Sequence, residues 1–194
     1  MTNFDQLFHV LKSYCDIPNE ELDRIKGLFY SCKLKKGELF VRSGNMTHTI
    51  GFILSGLLRY FYIDRNGAES TKAFAAENDF AVSYGSMLLN QPSAFSIEAL
   101  EDTTLLYIHY SEWKKLLDST SCWNVVARKV MEKIYVIKQI RESQLLLEDA
   151  QSRYLHFIDQ YPGLYNRLKQ HHIASYLGIL PVSLSRIRKK IRES

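Results

Sequence analysis

The sequence contains few of the residues that interrupt or cross-link a polypeptide. Its 194 residues include four prolines, nine glycines and three cysteines, and 46% of them are hydrophobic. This composition excludes disordered, collagen-like and fibrous classes. The longest nearly apolar run, residues 50–58, is about half as long as a bilayer span requires. The N-terminal segment lacks a basic region and a small-residue cleavage site, so it predicts no signal peptide. We therefore expect a cytoplasmic protein that binds no membrane.

Cysteine and histidine occur in an arrangement that disfavours metal and redox chemistry. The three cysteines, Cys15, Cys32 and Cys122, are odd in number and far apart, as expected for reduced, mostly buried thiols. The six histidines form none of the spacings H-x-H, H-x-x-x-H or H-E-x-x-H that local zinc motifs use. The sequence therefore predicts no metal site and no cofactor.

Charge is distributed unevenly along the chain. The formal net charge is +4, yet residues 163–194 contain seven Lys or Arg residues and one acid. The preceding part of the chain is slightly acidic. Because the basic segment keeps apolar residues at helical spacing, it differs from a solvated basic tail. A folded basic end on a nearly neutral body indicates contact with a polyanion.

The pattern of residues predicts a β-rich region between helices. Two amphipathic helices come first, and the second one follows Pro18. From about Tyr30 to Ile108, short β-branched and aromatic runs alternate with turn signals, which is typical of a compact β-barrel or sandwich. Asn66-Gly67 is the strongest turn signal, because a type I′ hairpin needs positive φ at both central residues. The remaining chain has helical periodicity, so the fold class is α+β.

A long helix predicted within residues 119–146 has an apolar seam. Its members follow a spacing of 4, 3, 4 and 3 residues, which favours packing on a parallel partner helix. The seam consists of Trp123, Ala127, Val130, Ile134 and Ile137. It predicts a homodimer joined through this helix. The alternative, that the stripe packs on the chain's own β-domain, is compatible with dimerisation.

Residues 169–191 combine three constraints that are typical of a helix-turn-helix. Ala174 lies four residues before Gly178, and Leu184 lies six residues after it. These positions suit a small residue where two helices touch, a glycine with positive φ, and an apolar residue that ties the helices together. Pro181 suits the first turn of the second helix. An ordinary αα-hairpin would not require the basic residues on that helix, so the segment predicts DNA binding.

The chemistry of the side chains suggests roles in a major groove. Arg186 suits a bidentate contact with guanine, and Ser183 and Ser185 can reach a phosphate or a base edge. The basic residues farther along suit phosphate contacts, and Arg188 fits either role. The predicted DNA-binding residues are Lys169, His172, Ser183, Ser185, Arg186, Arg188, Lys189 and Lys190, with His171 and Arg192 as further phosphate candidates. A capping or solvated role is equally compatible with the two histidines.

The order of these elements resembles the Crp/Fnr (cyclic-AMP receptor/fumarate-nitrate regulator) family of bacterial transcription regulators. KKGELFVRSGN, GFILSGLLRYFY and DRNGAE are similar to the family's cyclic-nucleotide-binding-type roll, and HHIASYLGILPVSLSRIRKK is similar to its DNA-binding helices. The resemblance implies a sensor domain (1–118), a dimerisation helix (119–146) and a helix-turn-helix domain (147–194). It implies a homodimer that binds a two-fold symmetric operator in double-stranded DNA near promoters. RNA polymerase and a small-molecule effector held in the roll are further implied partners.

The sensor region departs from the family's nucleotide-binding pattern. Members that bind cyclic nucleotides hold the ribose and the cyclic phosphate with a Glu and an Arg. Here Ser83 stands near the Glu position, and Ser93-Ala94 replaces the Arg and the small residue after it. A buried phosphate would have no charge partner, so we expect no tight binding of cyclic AMP or cyclic GMP. The effector-pocket candidates are Ser83, Tyr84, Gly85, Ser86, Ser93 and Ala94.

Two other functions are compatible with parts of the sequence. A ligand-binding module could use the basic C-terminal end to contact RNA or a protein partner. A cupin-type enzyme on the same kind of roll would need clustered His and Glu ligands, of which the early roll supplies His48. The regulator accounts for both the basic helix and the apolar seam. We therefore expect a regulator without enzymatic activity.

Overall fold

Helices precede and follow a central β-region in the computed structural model, which describes residues 3–193. The outermost residues of the first and last predicted domains therefore lie outside the described residues. The strands are β1 (Phe29–Leu34), β2 (Leu39–Val41), β3 (Thr49–Ser55), β4 (Leu58–Ile63), β5 (Glu69–Ala75), β6 (Phe80–Ala81), β7 (Ser96–Ala99) and β8 (Thr103–His109). The helices are α1 (Asn3–Tyr14), α2 (Asn19–Lys26), α3 (Tyr84–Leu89), α4 (Tyr110–Ser119), α5 (Ser121–Leu147), α6 (Ala150–Gln160), α7 (Gln170–Leu177) and α8 (Pro181–Arg192), with a 3-10 turn at Leu164–Asn166.

The strands form two sheets that share a core. The strand orders are β1-β8-β3-β6 and β2-β7-β4-β5. In the first sheet, antiparallel pairing aligns Ile108 of β8 with both Phe29 of β1 and Ile50 of β3. Residues of both sheets meet in one buried cluster, Val41, Ile53, Leu58, Tyr60, Ala75, Ala81, Ile97 and Ala99. The predicted α+β class and the β-roll are therefore confirmed.

A second core lies where helices pack on the first sheet. It combines residues of α1, α2, α4 and α5 with residues of β3 and β8, among them Leu7, Leu11, Ile25, Leu116, Trp123, Phe52, Leu106 and Ile108. The indole Nε1 of Trp123 donates a hydrogen bond of 2.7 Å to the carboxylate of Glu21. The Trp123 ring also meets Trp113 edge to face, with 6.2 Å between centroids. These contacts anchor the first turns of α5 on α2 and α4.

The loop between β4 and β5 differs in type from the predicted turn. Gly67 has a φ of 81°, whereas the φ of Asn66 is not positive. The Asp64 carboxylate accepts hydrogen bonds of 2.8 Å from the N–H groups of Asn66 and Ala68. The Asp64 N–H donates to the Ala68 carbonyl at 3.0 Å. One left-handed glycine at the end of a three-residue loop therefore replaces the two positive φ values of a type I′ turn.

The described chain separates into two compact units. Unit 1 contains the described residues up to Tyr62 together with Ala73–Glu132, and unit 2 contains Ile63–Lys72 and the described residues from Lys133 onward. Both β5 and α5 therefore run through the two units. The three-part division expected from the sequence remains a prediction. No helix in residues 3–193 is long and apolar enough to cross a membrane.

Candidate functional site

A three-residue turn joins α7 to α8 in unit 2. Gly178 ends α7 with φ 69° and ψ 34°, a left-handed conformation that an L side chain adopts only with strain. The N–H of Ile179 donates to the carbonyl of Ala174 at 3.0 Å, which satisfies an end carbonyl of α7. Ala174 and Leu184 are fully buried. The residues that predicted a helix-turn-helix thus adopt the expected geometry.

The second helix begins at Pro181, as expected from the sequence. Leu180 precedes it in an extended conformation, and the N–H of Leu184 donates to the Leu180 carbonyl at 3.2 Å. Proline suits this first position because its missing N–H would have no partner there. The inward stripe of α8 consists of Leu184, Ile187, Arg188 and Ile191. The opposite face is therefore available to a ligand.

The exposed face of α8 carries half of the predicted DNA-binding residues. Ser185, Arg186, Lys189 and Lys190 are all exposed, because they lie opposite the buried stripe. Glu193 follows the helix and lies 3.8 Å from the Lys189 ammonium, but both side chains are largely exposed. A surface pair of this kind contributes little and gives way to a phosphate at small cost.

Two residues that the sequence analysis missed belong to the same surface. Val182 is 61% exposed and lies one helical turn before Arg186, so it shares the cationic face. Gln170 of α7 donates a hydrogen bond of 2.7 Å to the Ser185 hydroxyl, which orients that hydroxyl. The signal for Val182 was its spacing from Arg186. The partnership of Gln170 depends on the helix crossing and has no local signal.

Other predicted residues occupy different positions. Lys169 is exposed at the start of α7, and Ser183 is half-buried. His172 is buried, with 9% of its surface accessible, and its ring lies 4.0 Å from that of exposed His171. This burial within unit 2 favours a structural role for His172, and its contact with DNA stays a prediction.

Arg188 is also withdrawn from the predicted DNA-binding surface. Its Nη2 donates to the hydroxyl of Tyr165, and its guanidinium carbon lies 4.8 Å from the Tyr165 ring centroid. Burial, followed by the hydrogen bond and charge of Tyr165, raises the pKa of Tyr154 to about 12. A phenol with this pKa is neutral at physiological pH. Arg188 thus joins α8 to a tyrosine cluster instead of projecting with Arg186.

The effector-pocket candidates lie at the α3 segment of unit 1. Ser83, Ser86 and Ser93 are buried, whereas Gly85 and Ala94 are exposed. The hydroxyls of Ser83 and Ser93 lie 2.8 Å apart, within hydrogen-bond distance. The Ser86 hydroxyl donates to the Gln91 carbonyl at 2.5 Å. These serines therefore satisfy their hydroxyls inside the protein, and none of the six candidates is a cation.

Tyr84, the sixth candidate, lines a small apolar cavity in unit 1. The cavity has a volume of about 40 Å³ and lies among Tyr84, Trp113, Val126, Val130 and Met131. Burial, and next the neighbouring Tyr110, raise the pKa of Tyr84. Space of this size admits about one water molecule and no nucleotide.

The residues of the predicted dimer seam divide into three groups. Trp123 is fully buried in the core of unit 1, which favours a core role for it over the predicted dimer contact. Ala127, Val130 and Ile137 are half-buried. Ile134 is 40% exposed. Beyond residue 132, α5 also exposes Tyr135, Val136 and Ile140, so the available apolar surface is shifted toward the C-terminal half of the helix.

The potential metal ligands remain dispersed in the part of the chain that the structure describes. Residues 3–193 bring together no group of three or more His, Cys, Asp or Glu side chains that could hold a metal ion. Cys15, Cys32 and Cys122 are free and half-buried. Burial, and to a smaller extent the Glu38 carboxylate, raise the pKa of the Cys32 thiol, so this thiol is a poor nucleophile at neutral pH.

A sequence comparison matches the β-region to a known domain family. Residues 31–120 match the family model described as the cyclic nucleotide-binding domain. This match spans β1 through β8 and α4. No curated protein matches the chain by sequence.

Solved structures extend the likeness to most of the chain. FixK2 from Bradyrhizobium japonicum has a TM-score of 0.72 at 17% identity, with 85% of each chain covered. The c-di-GMP responsive global regulator CLP of Xanthomonas campestris has a TM-score of 0.72 at 12% identity, covering 91% of this chain and 92% of CLP. A Crp/Fnr-family transcriptional regulator from Eubacterium rectale has a TM-score of 0.74 at 17% identity, covering 98% and 88%. Residues 31–120 thus match the cyclic nucleotide-binding domain, and the chain has the fold of the Crp/Fnr transcription regulators, as its sequence resemblance predicted.

Proposed function

We propose that the protein is a DNA-binding transcription regulator that acts as a homodimer and has no enzymatic activity. The single observation that carries the proposal is the exposed face of α8, where Arg186, Lys189 and Lys190 project together. The helix has 12 residues, and the diameter of an α-helix with its side chains, about 10–12 Å, fits a major groove about 12 Å wide. The other face of the helix carries the stripe that is buried in unit 2.

The proposed recognition follows from the chemistry of this face. Arg186 can donate two hydrogen bonds to the O6 and N7 atoms of guanine, and Val182 can pack on a thymine methyl group. Lys189 and Lys190 neutralise phosphates and supply affinity for any sequence. Lys169 can add a phosphate contact from the start of α7. The fold of the Crp/Fnr regulators supports promoter DNA as the target, with RNA polymerase as a further partner.

The effector of the proposed regulator is not a cyclic nucleotide. Ser83 and Ser93 hydrogen-bond with each other, and neither can balance a buried phosphate charge. The absence of a cation among the six candidates supports an effector of different chemistry, or regulation without one. We propose that a homodimer forms through the C-terminal half of α5, where Ile134 and Ile140 are exposed.

Selection of DNA sites from a random duplex library tests this function. The full-length protein should enrich a palindromic site, and light scattering should give two protomers for each bound duplex. A variant with Arg186, Lys189 and Lys190 all changed to Ala should enrich no site. A shallow salt dependence without preference for duplex DNA would contradict the proposal and favour an RNA or protein partner for the basic end.

A further inference from the structure

Both backbone groups of Thr71, its N–H and its carbonyl, form hydrogen bonds with helices of unit 2. Thr71 lies on β5, the edge strand of its sheet, and is 3% exposed. Its N–H donates to the hydroxyl of Ser175 on α7 at 2.8 Å. Its carbonyl accepts a hydrogen bond of 3.1 Å from Nη2 of Arg141 on α5. Edge strands leave backbone groups unpaired, and here two helices satisfy them.

Arg141 also makes a second contact, with α7. Its guanidinium carbon lies 3.8 Å from the ring centroid of Tyr176, which is buried. A guanidinium can stack on an aromatic ring and donate in its own plane at the same time. One side chain therefore joins three elements: α5, which carries it, β5 through Thr71, and α7 through Tyr176.

Neighbouring contacts extend the junction in both directions. The Ser175 hydroxyl lies 3.4 Å from the carbonyl of Glu69, to which it donates, so it contacts two backbone groups of β5. Leu145, one turn after Arg141 on α5, lies beside Gly178, 3.4 Å from the position that a Cβ would occupy there. The start of β5 and the second half of α5 thus hold α7 along its length.

We infer that Arg141 is a positioning residue for the DNA-binding helices, and that it fixes α7 to the hairpin segment Ile63–Lys72. This segment, the second half of α5 and the helices α7 and α8 then move as one body. The inference goes beyond the proposed function, because it identifies the elements that orient α8. It rests on that function only for its DNA-binding consequence.

Hydrogen–deuterium exchange of the full-length free protein tests the junction without DNA. Arg141→Lys keeps the charge but cannot stack and donate as a planar group, and Ser175→Ala removes the acceptor of the Thr71 N–H. We expect each variant to speed exchange at least fivefold in both the hairpin segment and α7. Ser175→Thr, which keeps the hydroxyl, should restore protection. Arg128→Lys, on the exposed unit 1 part of α5, is the matched control and should change neither segment.

The result must be confined to unit 2. Both tryptophans, Trp113 and Trp123, lie in unit 1, so their fluorescence should be the same in all variants. Unchanged exchange in the hairpin segment and α7 after Arg141→Lys would overturn the inference. So would an equal increase across unit 1, because the substitution would then have destabilised the whole fold.

Binding to the selected operator tests the consequence for the helices. Arg141→Lys should weaken affinity about tenfold, because binding must then order α7, and the slope of affinity against salt should not change. A slope reduced by about one would mean that Arg141 itself contacts a phosphate, which would overturn its positioning role, as would equal or tighter binding. If the wild-type protein binds no DNA, the proposed function fails while the exchange experiment still decides the junction.

Discussion

Arg188 donates a hydrogen bond to the hydroxyl of Tyr165 while its guanidinium lies over the Tyr165 ring. Arg186, two residues earlier on the same helix, is exposed. Because residues two apart on a helix point to different sides, two arginines that look equivalent in the sequence have different roles. Arg188 stabilises unit 2, and Arg186 remains free to contact a ligand.

Arg188→Ala should lower the stability of unit 2 by about 2 kcal/mol, because it removes a charged hydrogen bond and a cation–π contact. Urea denaturation followed by far-ultraviolet circular dichroism measures this loss. The exposed neighbour provides the control, since Arg186→Ala should leave the midpoint unchanged. Equal stability of the two variants would contradict the role of Tyr165 as the partner of Arg188.

Arg186→Ala should weaken operator binding by about 1 to 3 kcal/mol and relax specificity at one base pair. Lys189→Ala should weaken binding to operator and random DNA similarly, because a phosphate contact carries no sequence information. Competition binding against operators changed at single positions distinguishes the two effects. Equal losses on specific and random DNA for both variants would refute the assignment of Arg186 to a base.

The helix-turn-helix could be predicted from sequence because its constraints are local. Ala174, Gly178 and Leu184 lie within eleven residues, and each position demands a residue of one kind. The Arg188 contact was not predictable in this way, since Tyr165 lies 23 residues earlier in a segment without periodicity. The 4,3,4,3 spacing identified an apolar stripe that includes Trp123, but spacing alone cannot distinguish the chain's own sheet from a partner helix.

Long-range backbone pairing was likewise beyond the sequence pattern. The hydrogen bond from Arg141 to Thr71 joins residues 70 positions apart. Nothing in the alternation of β5 or the period of α5 selects this pair. In the β-region, by contrast, the expected replacement of the family's Glu and Arg by serines stays a prediction, and the structure adds that Ser83 and Ser93 hydrogen-bond with each other.

Gly178→Ala should destabilise unit 2 by about 1 to 2 kcal/mol, because Gly178 has a φ of 69° and L residues are strained there. Gly85→Ala is a useful control, since Gly85 lies in α3 with nothing within 4 Å of an added Cβ. That change should be neutral or slightly stabilising, as alanine favours helix. Thermal unfolding of the two variants measures both effects. An unchanged melting temperature in Gly178→Ala would contradict the strain argument.

The stability of unit 2 should increase with pH above about 8. Burial, and then the charge of Lys138, lower the pKa of Lys72 from its ordinary 10.5 to about 8. Between these values the unfolded chain binds the additional proton, so the free energy of unfolding rises with pH. Below about pH 8 both states are protonated, and the full cost of burying the ammonium remains.

Lys72→Met should therefore stabilise unit 2 at pH 7 by about 1 to 3 kcal/mol and reduce the rise in stability above pH 8. Urea denaturation of wild type and variant from pH 7 to pH 10 isolates this contribution as the difference between the two. Lys138→Gln should raise the pKa of Lys72, measured by the NMR titration of its side-chain carbon. A pKa that stays at about 8 in that variant would exclude the Lys138 charge as a cause.

Ile134→Glu should weaken the proposed homodimer at least tenfold, because it places a charge on the exposed apolar surface of α5 that we propose as the interface. Trp123→Phe should instead leave dimerisation unchanged and lower stability by about 1 to 2 kcal/mol, since the buried Glu21 contact loses its donor. Sedimentation equilibrium measures the first effect, and urea denaturation measures the second. A weaker dimer in Trp123→Phe, with an unchanged dimer in Ile134→Glu, would contradict the proposed interface. It would place the interface in the N-terminal half of the helix and make Trp123 part of it.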